Sequence, residues 1–406
     1  MSIGAAIRPV LRIVHPVPVR VTATCSAPTR TDPRKTAKPA VLPPGSGGSA
    51  ATCCAPAIET EPASATTAAQ IQWPIDMASA YQAARQGAAF IDRSDRGRLV
   101  VSGRDRASYL QGLLTNDIPA LKSGQGCYAA YLTAQGRMIS DLWVYELGDV
   151  ILLNLPGETT AAVLAKLDQF IFSEDVQLGD VTATFAQIAV VGPEAARLVA
   201  ALLDPATDGA GVSLESLSDH GNVRVQIAGT PAIVTSVTDT GEHGFDVYVE
   251  RERAGWLNDQ LLAAGAVEAA EETAEILRVE AGVPAFGRDM DEETIPLEAG
   301  IESRAISMTK GCYVGQEVII RVLHRGHGRV ARKLVGLVLD GESAPARGAV
   351  VSSADRAVGE ITTGVRSPAL GRPIALAYVQ RDFVVPGTVL SVDGAQATVT
   401  ALPFVQ

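Results

Sequence analysis

The sequence predicts an α+β protein: two antiparallel-sheet α+β units forming one domain, then a small C-terminal β-barrel. Two observations carry this. From about residue 97 to residue 330, strand and helix patterns mix without the strict alternation that a parallel βαβ sheet requires. After about Arg332 helix signals vanish, and six short strand patterns follow, broken by Gly, Pro and Asp. The chain has 406 residues, 47% hydrophobic and 19% charged, enough for two or three domains with a real core.

The elements follow in order. Residues 98–102 read as a short strand. Gly103-Arg104-Asp105 turns into a helix carrying Ala107, Tyr109, Leu110 and Leu113 at helical spacing. Residues 127–133, 137–146 and 150–155 read as consecutive antiparallel strands, separated by turns at 134–136 and 147–149. An amphipathic helix is expected over 160–172. The second unit begins with a strand at 185–191. Pro193 and Glu194 then open a helix to about Leu203, because proline fits the first helical turn and acid suits its positive end. Strands at 223–228, 232–238 and 244–250 precede helices at 251–264 and 271–281. The barrel strands are expected at 333–339, 349–352, 357–366, 372–380, 388–392 and 397–401.

Before these units lies a different composition. Ten of the 23 prolines fall in residues 1–70, with Gly45-Ser46-Gly47-Gly48-Ser49 after a Pro-Pro pair. That segment has seven basic and three acidic residues, a net +4, so the rest carries −15 of the −11 total. It cannot bury enough apolar surface to order itself, and a disordered extension is expected over 1–70. A true start near Met77 fits equally well. The domain boundaries are then 71–330, with halves of about 71–180 and 181–330, and 331–406. No run of about 18 apolar residues suggests a membrane span. The acidic body argues against direct nucleic-acid binding. Of the five cysteines, Cys25, Cys53 and Cys54 lie in the tail and only Cys127 and Cys312 in the body, with no CxxC pair. That suits a reducing compartment. A cytoplasmic location is expected, or a mitochondrial one if the basic, acid-poor tail is a transit peptide.

The most informative stretch is Lys310-Gly311-Cys312-Tyr313-Val314-Gly315-Gln316-Glu317. One thiol stands between glycines, with a cation on one side and a carboxylate on the other. Lys310 is expected to favour the Cys312 thiolate, making it a nucleophile, a redox group or a soft ligand. The alternative is a small buried core residue. This octapeptide resembles the K-G-C-Y-x-G-Q-E signature of the YgfZ family of folate-binding proteins, related in fold to the glycine cleavage T-protein, an aminomethyltransferase. The resemblance runs from about Ala78 to near the C-terminus. It implies two α+β units and a terminal barrel arranged as a ring around a folate site.

Other segments take roles from that resemblance. Thr240-Gly241-Glu242-His243-Gly244-Phe245-Asp246 resembles the T-G-E-x-G turn whose glutamate binds the pterin, which maps to Glu242. A carboxylate there can accept two N–H donors of a pterin edge; the alternative is a solvent-facing turn. Gln135-Gly136-Arg137-Met138-Ile139-Ser140-Asp141 resembles the segment whose aspartate acts at the folate reaction centre, here Asp141, with Arg137 replacing a glycine. Arg278, in a run resembling R-x-E-A-G-x-P, serves a substrate carboxylate or a structural ion pair. Asn116 fits the family's L-T-N-D run and caps or lines the site. Lys310 and Tyr313 are placed with the folate contacts. The basic run Arg321, His324, Arg325, His327, Arg329, Arg332 and Lys333 suits polyglutamate, phosphate or RNA, or, through its histidines and Cys312, a soft metal.

These readings imply a tetrahydrofolate-binding accessory protein for iron–sulfur cluster assembly or repair, indirectly supporting tRNA modification. Its partners would be folate and iron–sulfur enzymes or assembly factors, with Cys312 as the working residue and no resident metal. The alternative is a true aminomethyltransferase, with Asp141 catalytic and a lipoyl carrier protein as donor.

Overall fold

The computed structural model describes residues 75–205, 213–324, 326 and 328–405. The expected tail, with Cys25, Cys53 and Cys54, lies outside the described residues, as do Arg325 and His327. The fold is α+β with antiparallel sheets and a closed C-terminal barrel.

The chain enters through α1 (Ile75–Gln86) and β1 (Ala89–Asp92). There follow β2 (Gly97–Ser102), α2 (Arg106–Gln111), β3 (Gly126–Leu132), β4 (Met138–Glu146), β5 (Val150–Leu155), α3 (Thr160–Asp168) and β6 (Gln177–Asp180). β2 to β6 form an antiparallel sheet in the order β3-β4-β5-β2-β6. Leu99, Val101, Leu110, Val144, Ile151 and Leu153 fill one side of it. Each such buried aliphatic contributes roughly 1.5–3 kcal/mol relative to exposure.

The second sheet is built from β7 (Phe185–Val191), β8 (Asn222–Ile227), β9 (Thr230–Val237) and β10 (Gly244–Glu250), with α4 (Ala195–Leu202) packed beside it. After α5 (Ala254–Ala263) the short β11 (Val267–Glu268) completes the order β11-β1-β7-β10-β9-β8. Thus β1, although early in the chain, pairs with β7 and, in parallel, with β11. Phe90, Ile188, Val190, Phe245 and Val247 form the core here.

α6 (Glu271–Glu280) leads into α7 (Pro296–Ala299), α8 (Glu302–Ala305) and α9 (Gln316–His324). Pro296 opens α7 at a position where its missing N–H costs nothing. The basic run therefore begins inside α9, which Ile319 anchors by its buried side chain. The barrel closes in the order β12-β15-β14-β13-β16-β17, with β12 (Arg332–Leu339), β13 (Val350–Ser353), β14 (Arg356–Ser367), β15 (Arg372–Gln380), β16 (Val389–Val392) and β17 (Ala395–Thr400). Closure pairs β12 with both β15 and β17 and leaves no free edge. No described helix is long and apolar enough to cross a membrane.

Candidate functional site

A cavity of about 330 Å³ opens between the two sheets and the segment that follows α6. β3 and β4 supply Tyr128, Asp141 and Trp143; the β1–β2 connection supplies Asp95 and Arg96. Asp239 follows β9, Arg278 comes from α6, Phe286 and Arg288 from the loop beyond it, and Arg304 from α8. The lining therefore combines flat aromatic faces, five carboxylates (Asp95, Asp141, Glu158, Asp239 and Glu271) and several guanidinium groups.

Asp141 sits in this wall, 9% exposed. The Tyr128 hydroxyl donates to its Oδ2 at 2.7 Å. Burial pushes the Asp141 carboxyl above its ordinary range, while Arg96, the Tyr128 hydrogen bond and Arg304 pull it back. Arg304 stacks on Tyr128 at 5.2 Å, and Arg96 lies over the Trp143 ring at 4.2 Å. Asp239 is gripped by Arg93, whose guanidinium meets its two oxygens at 3.2 and 3.0 Å. His220, also in the lining, takes a left-handed backbone at φ 59° and leaves its buried Nδ1 without a partner. Burial holds its imidazole below the ordinary value, favouring the neutral ring.

The structure puts Glu242 elsewhere. Gly241, at φ +79°, turns the chain so that Glu242 meets Arg85 of α1, Nη1 to Oε1 at 2.6 Å, and it is not among the cavity lining. The same guanidinium meets the fully buried Glu280 at 2.5 Å. Asp239, three residues earlier, is the carboxylate that this turn presents to the cavity. Arg278 does line the cavity, yet its donors are taken by Asp289, Glu275 and the Val283 carbonyl. Asn116 stands behind the lining, donating to the carbonyls of Tyr128 and Arg304 at 2.8 and 3.1 Å. It fixes two cavity residues by their backbones.

The octapeptide is also placed differently from the sequence expectation. Lys310 turns inward, and its ammonium donates to the carbonyls of Gln111, Leu114 and Asn116 at 2.7, 2.5 and 3.0 Å. Burial pulls it down to about 8, with Asp117 and Cys127 opposing. Its ammonium satisfies carbonyls at and just beyond the C-terminal end of α2, so it is committed away from Cys312. Tyr313 is buried beside it, 5.0 Å from the ammonium, and burial raises its hydroxyl to about 12. Gly315, at φ +86°, presses on the β3–β4 hairpin: an added Cβ would meet the Thr133 carbonyl oxygen at 2.5 Å. These contacts make the octapeptide a buttress for Asn116 and for the hairpin that carries Asp141. Cys312 is exposed and free, outside the cavity lining. The soft-metal grouping involved His327, which lies outside the described residues. Among the described residues no group of three His, Cys, Asp or Glu side chains gathers as a metal site.

Arg96, Asp239, Tyr128 and Arg304 were not singled out by the sequence. The signal available for Asp239 was its place one residue before the Thr240-Gly241 turn.

Residues 62–310 match the family described as the GCVT N-terminal domain, and residues 332–406 match the glycine cleavage T-protein C-terminal barrel domain. An aminomethyltransferase of Streptomyces coelicolor is 32% identical over 333 residues, covering 79% of this chain and 87% of that protein. One from Rubrobacter xylanophilus is 35% identical over 299 residues, covering 74% and 78%. The crystal structure of the glycine cleavage system aminomethyltransferase T from Bartonella henselae shares the fold, with a TM-score of 0.74 over 82% of this chain and 90% of that one, at 24% identity. These relatives overturn the expectation of an iron–sulfur accessory protein supporting tRNA modification. That expectation rested on eight residues around Cys312, which buttress the hairpin from outside the cavity. The similarity to aminomethyltransferases instead spans the cavity and the barrel.

Proposed function

This chain belongs to the glycine cleavage T-protein family, and on that premise we propose that it is an aminomethyltransferase, delivering a one-carbon unit to tetrahydrofolate in the Asp141 cavity. The observation that carries the proposal is the buried Asp141 carboxyl, held by Tyr128 in the wall of a cavity large enough for a flat ring.

The residues present fit a folate. Trp143, Phe286 and Tyr128 offer flat apolar faces, Asp239 offers a carboxylate for ring N–H donors, and the unpartnered Nδ1 of His220 offers one more polar contact. Arg288 and Arg304 offer charge to an anionic tail. When bound, tetrahydrofolate supplies the nitrogens that take up the carbon. Asp141, raised toward neutrality by burial, is suited to move a proton at such a nitrogen. Arg96 and the Tyr128 hydroxyl oppose that shift and favour the carboxylate form that accepts a proton. Asn116 holds the backbones of Tyr128 and Arg304 in place. The donor is an aminomethylated dihydrolipoyl arm of a carrier protein: its carbon would form bonds to two folate nitrogens as its C–N bond breaks to release ammonia and its C–S bond breaks to return the dihydrolipoyl thiol.

The test is anaerobic incubation with tetrahydrofolate and an aminomethylated lipoyl carrier protein. Methylene-tetrahydrofolate and ammonia formed in equal amounts support the reading. Tetrahydrofolate binding without turnover would restrict the protein to a binding role.

A further inference from the structure

Behind the cavity wall, a chain of side chains links one charged lining residue to another. Arg96 Nε donates to Asn154 Oδ1 at 2.5 Å, Asn154 Nδ2 to Gln187 Oε1 at 2.7 Å, and Gln187 Nε2 to Asp246 Oδ2 at 2.8 Å. The other Asp246 oxygen lies 3.5 Å from Arg93 Nη1, and Arg93 grips Asp239. Asn154, Gln187 and Asp246 are all 0% exposed. Arg96 and Asp239 line the cavity, whereas the middle members do not.

The direction of this chain is fixed. A guanidinium only donates and a carboxylate only accepts, so each amide between them has one allowed orientation. Side contacts lock it: Arg98 Nη1 donates to Gln187 Oε1 at 3.4 Å, and Asn154 Nδ2 donates to the Tyr248 hydroxyl at 2.8 Å. Asn154 belongs to β5 of the first sheet and Gln187 to β7 of the second, so their bond crosses between the sheets. An apolar pair of similar size could fill the space between the sheets, but it would take these partners from Arg96 Nε, the Tyr248 hydroxyl and the buried Asp246 carboxylate. It could not set the plane of the Arg96 guanidinium.

We propose that Asn154 and Gln187 are positioning residues for the folate cavity, holding Arg96 over Trp143 and Asp239 on Arg93. This rests on the folate reading of the cavity. Neither residue touches the substrate; each acts through the charged group at its end of the chain.

The test is Gln187→Glu. The charged and titratable groups around that position are Asp246 and Tyr248 on β10, Arg93 after β1, Arg98 on β2, and Arg96 beyond Asn154. While protonated, the introduced carboxyl donates to Asp246 and accepts from Asn154, and the chain stays intact. Once ionised it opposes Asp246, which raises the pKa of the introduced group. Tetrahydrofolate affinity, measured by anaerobic calorimetry, should match wild type within about threefold near pH 5.5 and be about tenfold weaker near pH 8. The double variant Asn154→Leu/Gln187→Leu should lose about tenfold at both pH values. Wild-type affinity in both variants, with or without a lower melting temperature, overturns the proposal. If wild type itself does not bind tetrahydrofolate, the functional reading falls. The positioning claim is then decided by Trp143 emission in a Trp73→Phe/Trp256→Phe background. Emission that tracks pH only with Gln187→Glu supports it, and pH-independent emission overturns it.

Discussion

The hydroxyl of Tyr128 donates to Oδ2 of Asp141 at 2.7 Å, within a wall where both side chains are buried. The bond holds down a carboxyl that burial pushes up. Tyr128→Phe removes the restraint, so the Asp141 pKa rises further. Activity that depends on the carboxylate is lost as pH falls through that pKa. The acid limb of the rate profile should therefore move to higher pH in Tyr128→Phe, by about one unit for a neutral-donor bond of ~1 kcal/mol. An unmoved limb would detach Asp141 from the rate.

Asp141 also has a stability consequence. Its folded pKa lies above the unfolded value, so the ionised group costs stability at neutral pH, and the cost is relieved as pH falls through the folded pKa. Asp141→Asn removes that cost and keeps an acceptor for Tyr128. Thermal melts at neutral pH should show the variant no less stable than wild type. A clear drop would mean that the carboxylate stabilises the fold.

Glu242 and Asp239 should separate cleanly. Asp239 lines the cavity and Glu242 pairs with Arg85 outside it. Asp239→Ala should weaken tetrahydrofolate binding by about ten- to a hundredfold, the loss expected for a charge-assisted contact of roughly 1.5–3 kcal/mol. Glu242→Ala should bind as wild type does. Calorimetry on the two variants decides, and the reverse ranking would return the pterin contact to Glu242.

The same cluster shows which ion pair matters to stability. Glu242 is partly exposed, so its pair with Arg85 is worth at most about 1 kcal/mol. Glu280 is fully buried, held by Arg85, the Tyr81 hydroxyl and the Ser367 hydroxyl. Arg85→Met leaves that carboxylate without its cation and should cost about 3–5 kcal/mol. Urea titration should show this loss for Arg85→Met and little change for Glu242→Ala.

The strands that carry the site were legible because long runs with alternating or continuous apolar character leave few alternatives. β3, β4, β5, β7 and β10 all stand within a residue or two of their expected places. β1, β6 and β11 were missed: they are four, four and two residues long, too short to show a period, and β11 is set only by its pairing with β1. Asp141 could be found from its local motif. Arg96 had no such signal and Asp239 only its place beside the Thr240-Gly241 turn, since what fixes them is contact with Asn154 and Arg93, far away in sequence. Lys310 misled for a related reason. One residue separates it from Cys312 in sequence, but its ammonium leaves the loop inward toward three carbonyls.

That placement makes a thiol prediction. Cys312 is exposed, whereas burial pushes Cys127 up to about 12. Alkylation at neutral pH followed by peptide mass spectrometry should label Cys312 well before Cys127. Lys310→Ala should leave the Cys312 rate unchanged, and slowed labelling would bring Lys310 back as its activating cation.

Aminomethyl transfer itself is tested most directly by single-turnover formation of methylene-tetrahydrofolate from an aminomethylated lipoyl carrier, with wild type and Asp141→Asn compared beside their tetrahydrofolate affinities. Wild type should turn over, and Asp141→Asn should retain binding while losing about a hundredfold or more in rate, the scale of a lost proton-transfer group. Wild type that binds tetrahydrofolate yet forms no product, or Asp141→Asn that turns over at the wild-type rate, would contradict the account.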